Sequence, residues 1–135
     1  MADGTIDHIG IATNSLDESQ QLWSILGFTK GDDKINSDQG VKIRFMNGKT
    51  STRIELLEPL GDDTPVGKFI IKNGPGVQQI AVKVADIEES ITRLVRAGVK
   101  MVSEVPTLGA DGYRIAFVHP SSAGGVLIEL VESNV

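Results

Sequence analysis

Residues 8–28, HIGIATNSLDESQQLWSILGF, lie over residues 79–99, QIAVKVADIEESITRLVRAGV, without a gap. A chain that repeats itself at this length builds its fold from two copies of one unit, and that limits the topologies open to it. His8 falls on Gln79, Ile9 on Ile80, Ile11 on Val82, Leu16 on Ile87, Glu18 on Glu89 and Gly27 on Gly98. Each copy reads as a strand, a turn, a helix and a glycine stop. Ser15 with Glu18, and Asp86 with Glu89, have the spacing of an N-cap and its third helical position. Leu16, Leu22, Trp23 and Leu26 form the apolar face expected of the first helix. Ile87, Ile91, Leu94 and Val95 form that of the second.

The copies also end alike. Residues 41–59 and 113–133 each read as strand, turn, strand, and the second has a tight connection at His119–Gly125. RIELLE (53–58) lies over LIELVE (127–132), which sets Glu55 over Glu129. Short strands near 28–35 and 99–104 complete a β-α-β-β-β unit in each half. The fold class is therefore α+β: one domain of two tandem β-α-β-β-β modules, about 5–58 and 77–132, whose sheet forms a curved, half-open cup. The linker 59–76 holds a short helix at 65–72.

Strand alternation then selects the enclosed side chains. In DHIGIA, His8 opposes Ile9 and Ile11; in RIELLE, Glu55 opposes Ile54 and Leu56; in LIELVE, Glu129 opposes Ile128 and Leu130. Gln79 occupies the place of His8. These are two equivalent pairs, His8 with Glu55 and Gln79 with Glu129, which a pseudo-twofold would bring to one point. Imidazole, carboxylate and amide donors suit a divalent ion that keeps positions open for water or substrate; Co, Mn, Ni, Fe and Zn all accept such a set. Gln79 reads as a weak ligand, Gln78 as a structural residue on the other side of its strand. His119, before a proline, reads as structural or at the rim of the site. Asp62 and Asp63 read as a solvated turn, and LGADGYR (108–114) as a mobile loop. Arg114, Lys68 and Lys72 are the cations available to an anionic ligand.

Composition removes several functions. The formal net charge of -5 argues against nucleic acid or an anionic membrane as partner. The absence of cysteine excludes disulfides, thiolate catalysis and zinc–thiolate sites. With 40% hydrophobic residues the chain can bury a core, and neither a signal pattern nor an apolar run of membrane-spanning length is present. The expectation is a cytoplasmic protein.

DHIGIAT, QGVKIRFM, RIELLEPLGDDTPVGKFI, GVQQIAVKVADIEESITRL, GADGYRIAFVHP and GGVLIELVE together resemble the vicinal oxygen chelate (glyoxalase/bleomycin-resistance) superfamily. Within it they resemble the methylmalonyl-CoA epimerase family, over about residues 5–132. The resemblance implies a metal-dependent epimerase of methylmalonyl-CoA or a similar CoA thioester, working through a metal-stabilised enolate. It implies His8, Glu55, Gln79 and Glu129 as metal ligands, Glu129 as a catalytic base, and Arg114 and Ser121 as substrate contacts. It also implies a homodimer. The sequence departs from the family at Gln78–Gln79, where paired histidines are usual, at Asp111 for a histidine, and at Ser121 for a lysine. A second catalytic base has no clear counterpart, because GVKIRFM presents Lys42 and Ile43 but no carboxylate. A glyoxalase-type lyase and a ligand-sequestering protein of the same fold are the alternatives.

Overall fold

The computed structural model describes residues 4–109 and 111–133. The elements run β1 (Thr5–Ala12), α1 (Leu16–Ile25), β2 (Thr29–Asn36), β3 (Val41–Asn47), β4 (Arg53–Pro59), α2 (Pro65–Asn73), β5 (Gly76–Val84), α3 (Ile87–Arg96), β6 (Thr107–Leu108), β7 (Arg114–Val118) and β8 (Leu127–Glu132). The chain forms two compact units, one spanning His8–Gln78 and the other running from Gln79 onward together with the residues up to Asp7. Both units repeat the order β-α-β-β-β. Each also pairs its first and last strands in parallel, β1 with β4 and β5 with β8.

In the first unit the strand order is β2-β3-β4-β1. Helix α1 covers one side, where Leu16, Met46, Ile54 and Leu56 are buried and Ile9, Ile11, Trp23 and Phe28 pack against them. The Trp23 and Phe28 rings meet edge to face with centroids 5.3 Å apart, a geometry their quadrupoles favour. Helix α2 covers part of the opposite side: Val66, Phe69 and Ile70 pack on Ala12, Val41, Ile43 and Leu57. Its start is set by Thr64, whose hydroxyl accepts from the Gly67 N–H, followed by a proline in the first turn.

In the second unit the order is β5-β8-β7-β6. Ile87 and Ile91 of α3 pack on Met101, Ala116, Val118 and Leu130. The two helices begin and end by the same devices. Ser15 and Asp86 accept from the Glu18 and Glu89 N–H groups, and Gly27 and Gly98 follow at φ 97° and 86°, where a side chain would be strained.

Two expectations need correction. The strand expected at 99–104 is not continuous. Met101 bridges Val118, and the Val102 N–H donates to the Phe117 carbonyl at 2.8 Å. Pairing with β7 resumes only at Thr107–Leu108. Pro106 lies in the gap; it has no N–H to give a ladder, so the edge is cut in two. The apolar face of α1 is also narrower than its period implies. Leu16 and Trp23 pack inward, but Leu22 and Leu26 are 58% and 60% exposed. The place that Ile91 fills in the second unit is taken by Gln20 in the first. Gln20 accepts from Arg44 at 3.0 Å, where the second unit buries Ala116.

Candidate functional site

The parallel register of β1 and β4 sets His8 beside Arg53 and Gly10 beside Glu55. Antiparallel pairing sets Phe45 opposite Glu55. All of these point to the side away from α1, since Ile9, Ile54, Leu56 and Met46 fill the α1 side. On this face His8 Nδ1 lies 3.1 Å from Glu55 Oε2, and each side chain is only 8% exposed. Burial of an imidazole and a carboxylate is costly unless each is matched by a partner, so the two hold one another. Arg53 reaches the same oxygen, with Nη2 3.8 Å from Glu55 Oε2.

The second unit presents the matching face. Gln79 pairs with Leu127 and Ala81 with Glu129, while Phe117 stands opposite Glu129. Gln79, Ala81, Phe117 and Glu129 thus take the places of His8, Gly10, Phe45 and Glu55. The α3 side is occupied instead by Ala116, Val118 and Leu130. Gln78, as expected, points away from Gln79; its Oε1 is buried and accepts no hydrogen bond among the described residues.

Donor chemistry is the test of whether these residues fit a metal. A buried imidazole nitrogen beside a buried carboxylate oxygen is a two-donor set of the kind divalent first-row ions accept, so the residues fit. Among the described residues no group of three or more His, Asp or Glu side chains forms a metal cluster. In the first unit the arrangement is the His8–Glu55 pair.

Arg114, expected as a substrate contact, is not brought to this face. It alternates with Ile115 and Phe117 and so points to the α3 side. Its guanidinium donates to both Glu132 oxygens at 2.8 Å and to Glu88 at 2.8 Å. These carboxylates hold it well above the ordinary arginine range, with Glu132 the larger influence. Committed to two carboxylates, it is a structural cation. Ser121 lies exposed in the 3-10 turn Pro120–Ser122 between β7 and β8, and its N–H donates to His119 Nδ1 at 3.0 Å. His119 therefore caps that turn. In the loop 108–114, Ala110 lies outside the described residues; on either side of it Gly109 N–H donates to Tyr113 O at 2.8 Å.

Sequence reasoning passed over Arg53, Phe45 and Lys34. The signal was present: Arg53 precedes Glu55 by two residues and so shares its face, and Phe45 falls opposite in the next strand.

Residues 7–117 match the Glyoxalase/Bleomycin resistance protein/Dioxygenase superfamily. The mitochondrial methylmalonyl-CoA epimerase of Dictyostelium discoideum is 36% identical over 96% of this chain and 78% of that protein. A hypothetical protein of Bacillus halodurans C-125 superposes with a TM-score of 0.89 at 40% identity, covering 98% of this chain and 96% of that one. A Streptomyces coelicolor methylmalonyl-CoA epimerase variant in complex with 2-nitronate-propionyl-CoA has a TM-score of 0.84 at 37% identity, with 97% and 95% covered. With matched strands, paired first and last strands and these relatives together, the chain belongs to the glyoxalase/bleomycin resistance/dioxygenase superfamily and, within it, to the family of the methylmalonyl-CoA epimerases.

Proposed function

We propose that this protein is an epimerase of methylmalonyl-CoA or a closely similar 2-alkylmalonyl-CoA thioester. The observation that carries the reading is the buried His8–Glu55 pair at 3.1 Å. Its counterpart, Gln79 and Glu129, lies on the equivalent face of the second unit. His8, Glu55, Gln79 and Glu129 would hold one divalent ion. Such an ion supplies Lewis-acid stabilisation for negative charge developing on the thioester oxygen.

The chain's own part is proton transfer. The carbon between a thioester and a carboxylate is acidic, but not enough for a side-chain base acting in water. A carboxylate oxygen of Glu129 takes its proton on one side, and an acid on the other side returns one, which inverts the centre. Glu55 is the one carboxylate that β1, β3 and β4 present on the site-facing side, and it is the candidate for the second role. Ile43, two residues along β3 from Phe45, instead packs against the buried cluster of Ala12, Val41, Leu57 and Val66. The reading includes a cytoplasmic homodimer, which sedimentation equilibrium checks.

The test is isotope exchange. Protein loaded with Co, Mn, Ni or Zn and incubated with methylmalonyl-CoA in heavy water should place deuterium at the α-carbon, read by proton NMR. Glu129→Gln should slow that exchange by about 10²–10⁴-fold, with an unchanged thermal midpoint. No exchange with any of the four ions would overturn the assignment.

A further inference from the structure

Beside the His8–Glu55 pair the first unit carries a cationic group that the metal set does not use. Arg53 Cζ lies 4.9 Å from the Phe45 ring centroid, and Lys34 Nζ lies 5.4 Å from the same centroid. Lys34 pairs with Ile43 across β2 and β3, so it shares the face of Phe45 and Glu55. The Arg53 side chain remains 31% exposed while contacting the buried Glu55, and Lys34 is exposed. Each cation is drawn to the negative face of the ring, but the two repel one another. Glu55 is a carboxylate that β4 places beside Arg53, and in the proposed function it also serves the ion. A chain of net charge -5 thus concentrates positive charge next to its candidate reaction centre.

We propose that Arg53, backed by Lys34 on the shared Phe45 ring, binds the free carboxylate of the substrate and so selects malonyl-type half-thioesters over simple acyl-CoA esters. This rests on the epimerase reading. A guanidinium held near an aromatic ring keeps a planar fork that can offer two parallel N–H donors to a carboxylate, which an ammonium cannot do. Position favours the carboxylate over more distant anionic groups, because Arg53 already touches Glu55, one of the two residues at the reacting end. The phosphates of CoA offer similar chemistry, so the probes must separate the two.

Wild type, Arg53→Gln, Arg53→Lys and Lys34→Gln would be titrated calorimetrically, metal-loaded, with three ligands. Methylmalonyl-CoA has both the carboxylate and the nucleotide phosphates. Propionyl-CoA lacks the carboxylate, and methylmalonyl-pantetheine lacks the phosphates. Arg53→Gln should bind both methylmalonyl ligands about tenfold more weakly and propionyl-CoA unchanged. Arg53→Lys should fall between. Lys34→Gln, an exposed substitution that leaves the fold intact, should show a smaller loss of the same selectivity and guards against a misfolded Arg53→Gln. Loss confined to the two CoA esters would assign the cations to phosphate and overturn the proposal, as would equal binding of all ligands by all variants. If wild type exchanges the α-proton while the Arg53 variants keep full selectivity, the inference alone fails. If wild type neither exchanges it nor binds methylmalonyl-CoA, the epimerase reading fails with it.

Discussion

In the proposed metal set Gln79 would be the weakest donor. An amide oxygen is a weaker donor than an imidazole nitrogen, more so toward the later first-row ions. Gln79→His should therefore tighten Ni binding by more than it tightens Mn binding, with little change in thermal midpoint because the two side chains have similar reach. Titration of both proteins with both ions measures this, and identical affinities throughout would show that Gln79 does not touch the metal. The strand faces of His8, Glu55 and Glu129 were legible because alternation in a strand leaves only two choices, and apolar neighbours fill one. Arg53 was not picked out because arginine at the head of a strand reads as a solvated end. Its approach to Phe45 depends on the register of the β3–β4 hairpin, which the spacing of residues alone does not fix. Leu22 and Leu26 were misplaced for a related reason: a period of 3.6 gives the direction of a helix face but not its width. Gln20 and Arg44 narrow that width in α1.

Helices α1 and α3 are each tied to the sheet by a glutamate of the last strand in their copy of the repeat. Glu58 accepts from the Leu16 N–H and Glu132 from the Ile87 N–H, both at 3.0 Å, at positions that correspond in the repeat. A carboxylate there satisfies one of the free N–H groups of the first turn and complements the helix dipole. An arginine from a neighbouring strand then fastens the helix: Arg44 donates to Asp17 at 2.7 Å and Arg114 to Glu88 at 2.8 Å. Arg44 also grips both oxygens of Asp33 at 2.9 Å. The hydrogen bond from Arg114, and next that from the Ile87 N–H, hold the Glu132 carboxyl below the usual glutamate range. Hydrogen bonds from Arg44 lower Asp17 and Asp33 in the same way. Acids with depressed values stabilise the fold above their ordinary range, and that contribution is lost as the pH falls through the lowered values. The thermal midpoint should therefore drop on acidification below about pH 4, and Glu132→Gln should drop less steeply than wild type. Melting curves followed by circular dichroism at stepped pH check this; parallel curves would remove Glu132 from the account. The helices and their caps were legible from Ser15, Asp86 and the two glycines. The glutamate and arginine ties were not, since their partners lie 42 and 45 residues away for the glutamates.

For the molecule as a whole, the described residues form separate apolar clusters, two in the first unit and one in the second. Leu56 is fully buried and Leu22 largely exposed, so the two leucines should respond very differently to truncation. Leu56→Ala should cost about 2–5 kcal/mol of unfolding free energy, and Leu22→Ala no more than about 0.5 kcal/mol. Urea denaturation compares them directly, and equal losses would place Leu22 in a buried interface. The repeat made the strand–helix order of both copies legible, because it survives without a gap over those segments. The break at Pro106 shows where the plan was relaxed. A long outer strand with unpaired N–H and C=O groups is a template on which another chain can add itself. Here that strand is reduced to Thr107–Leu108 on one unit. On the other, β2 is charged along its length (TKGDDKIN) and its register shifts between Lys30 and Asp33. Within their own units β6 and β2 therefore resist the addition of a further strand, a protection with weight for a chain that carries exposed Leu22, Ile25 and Leu26.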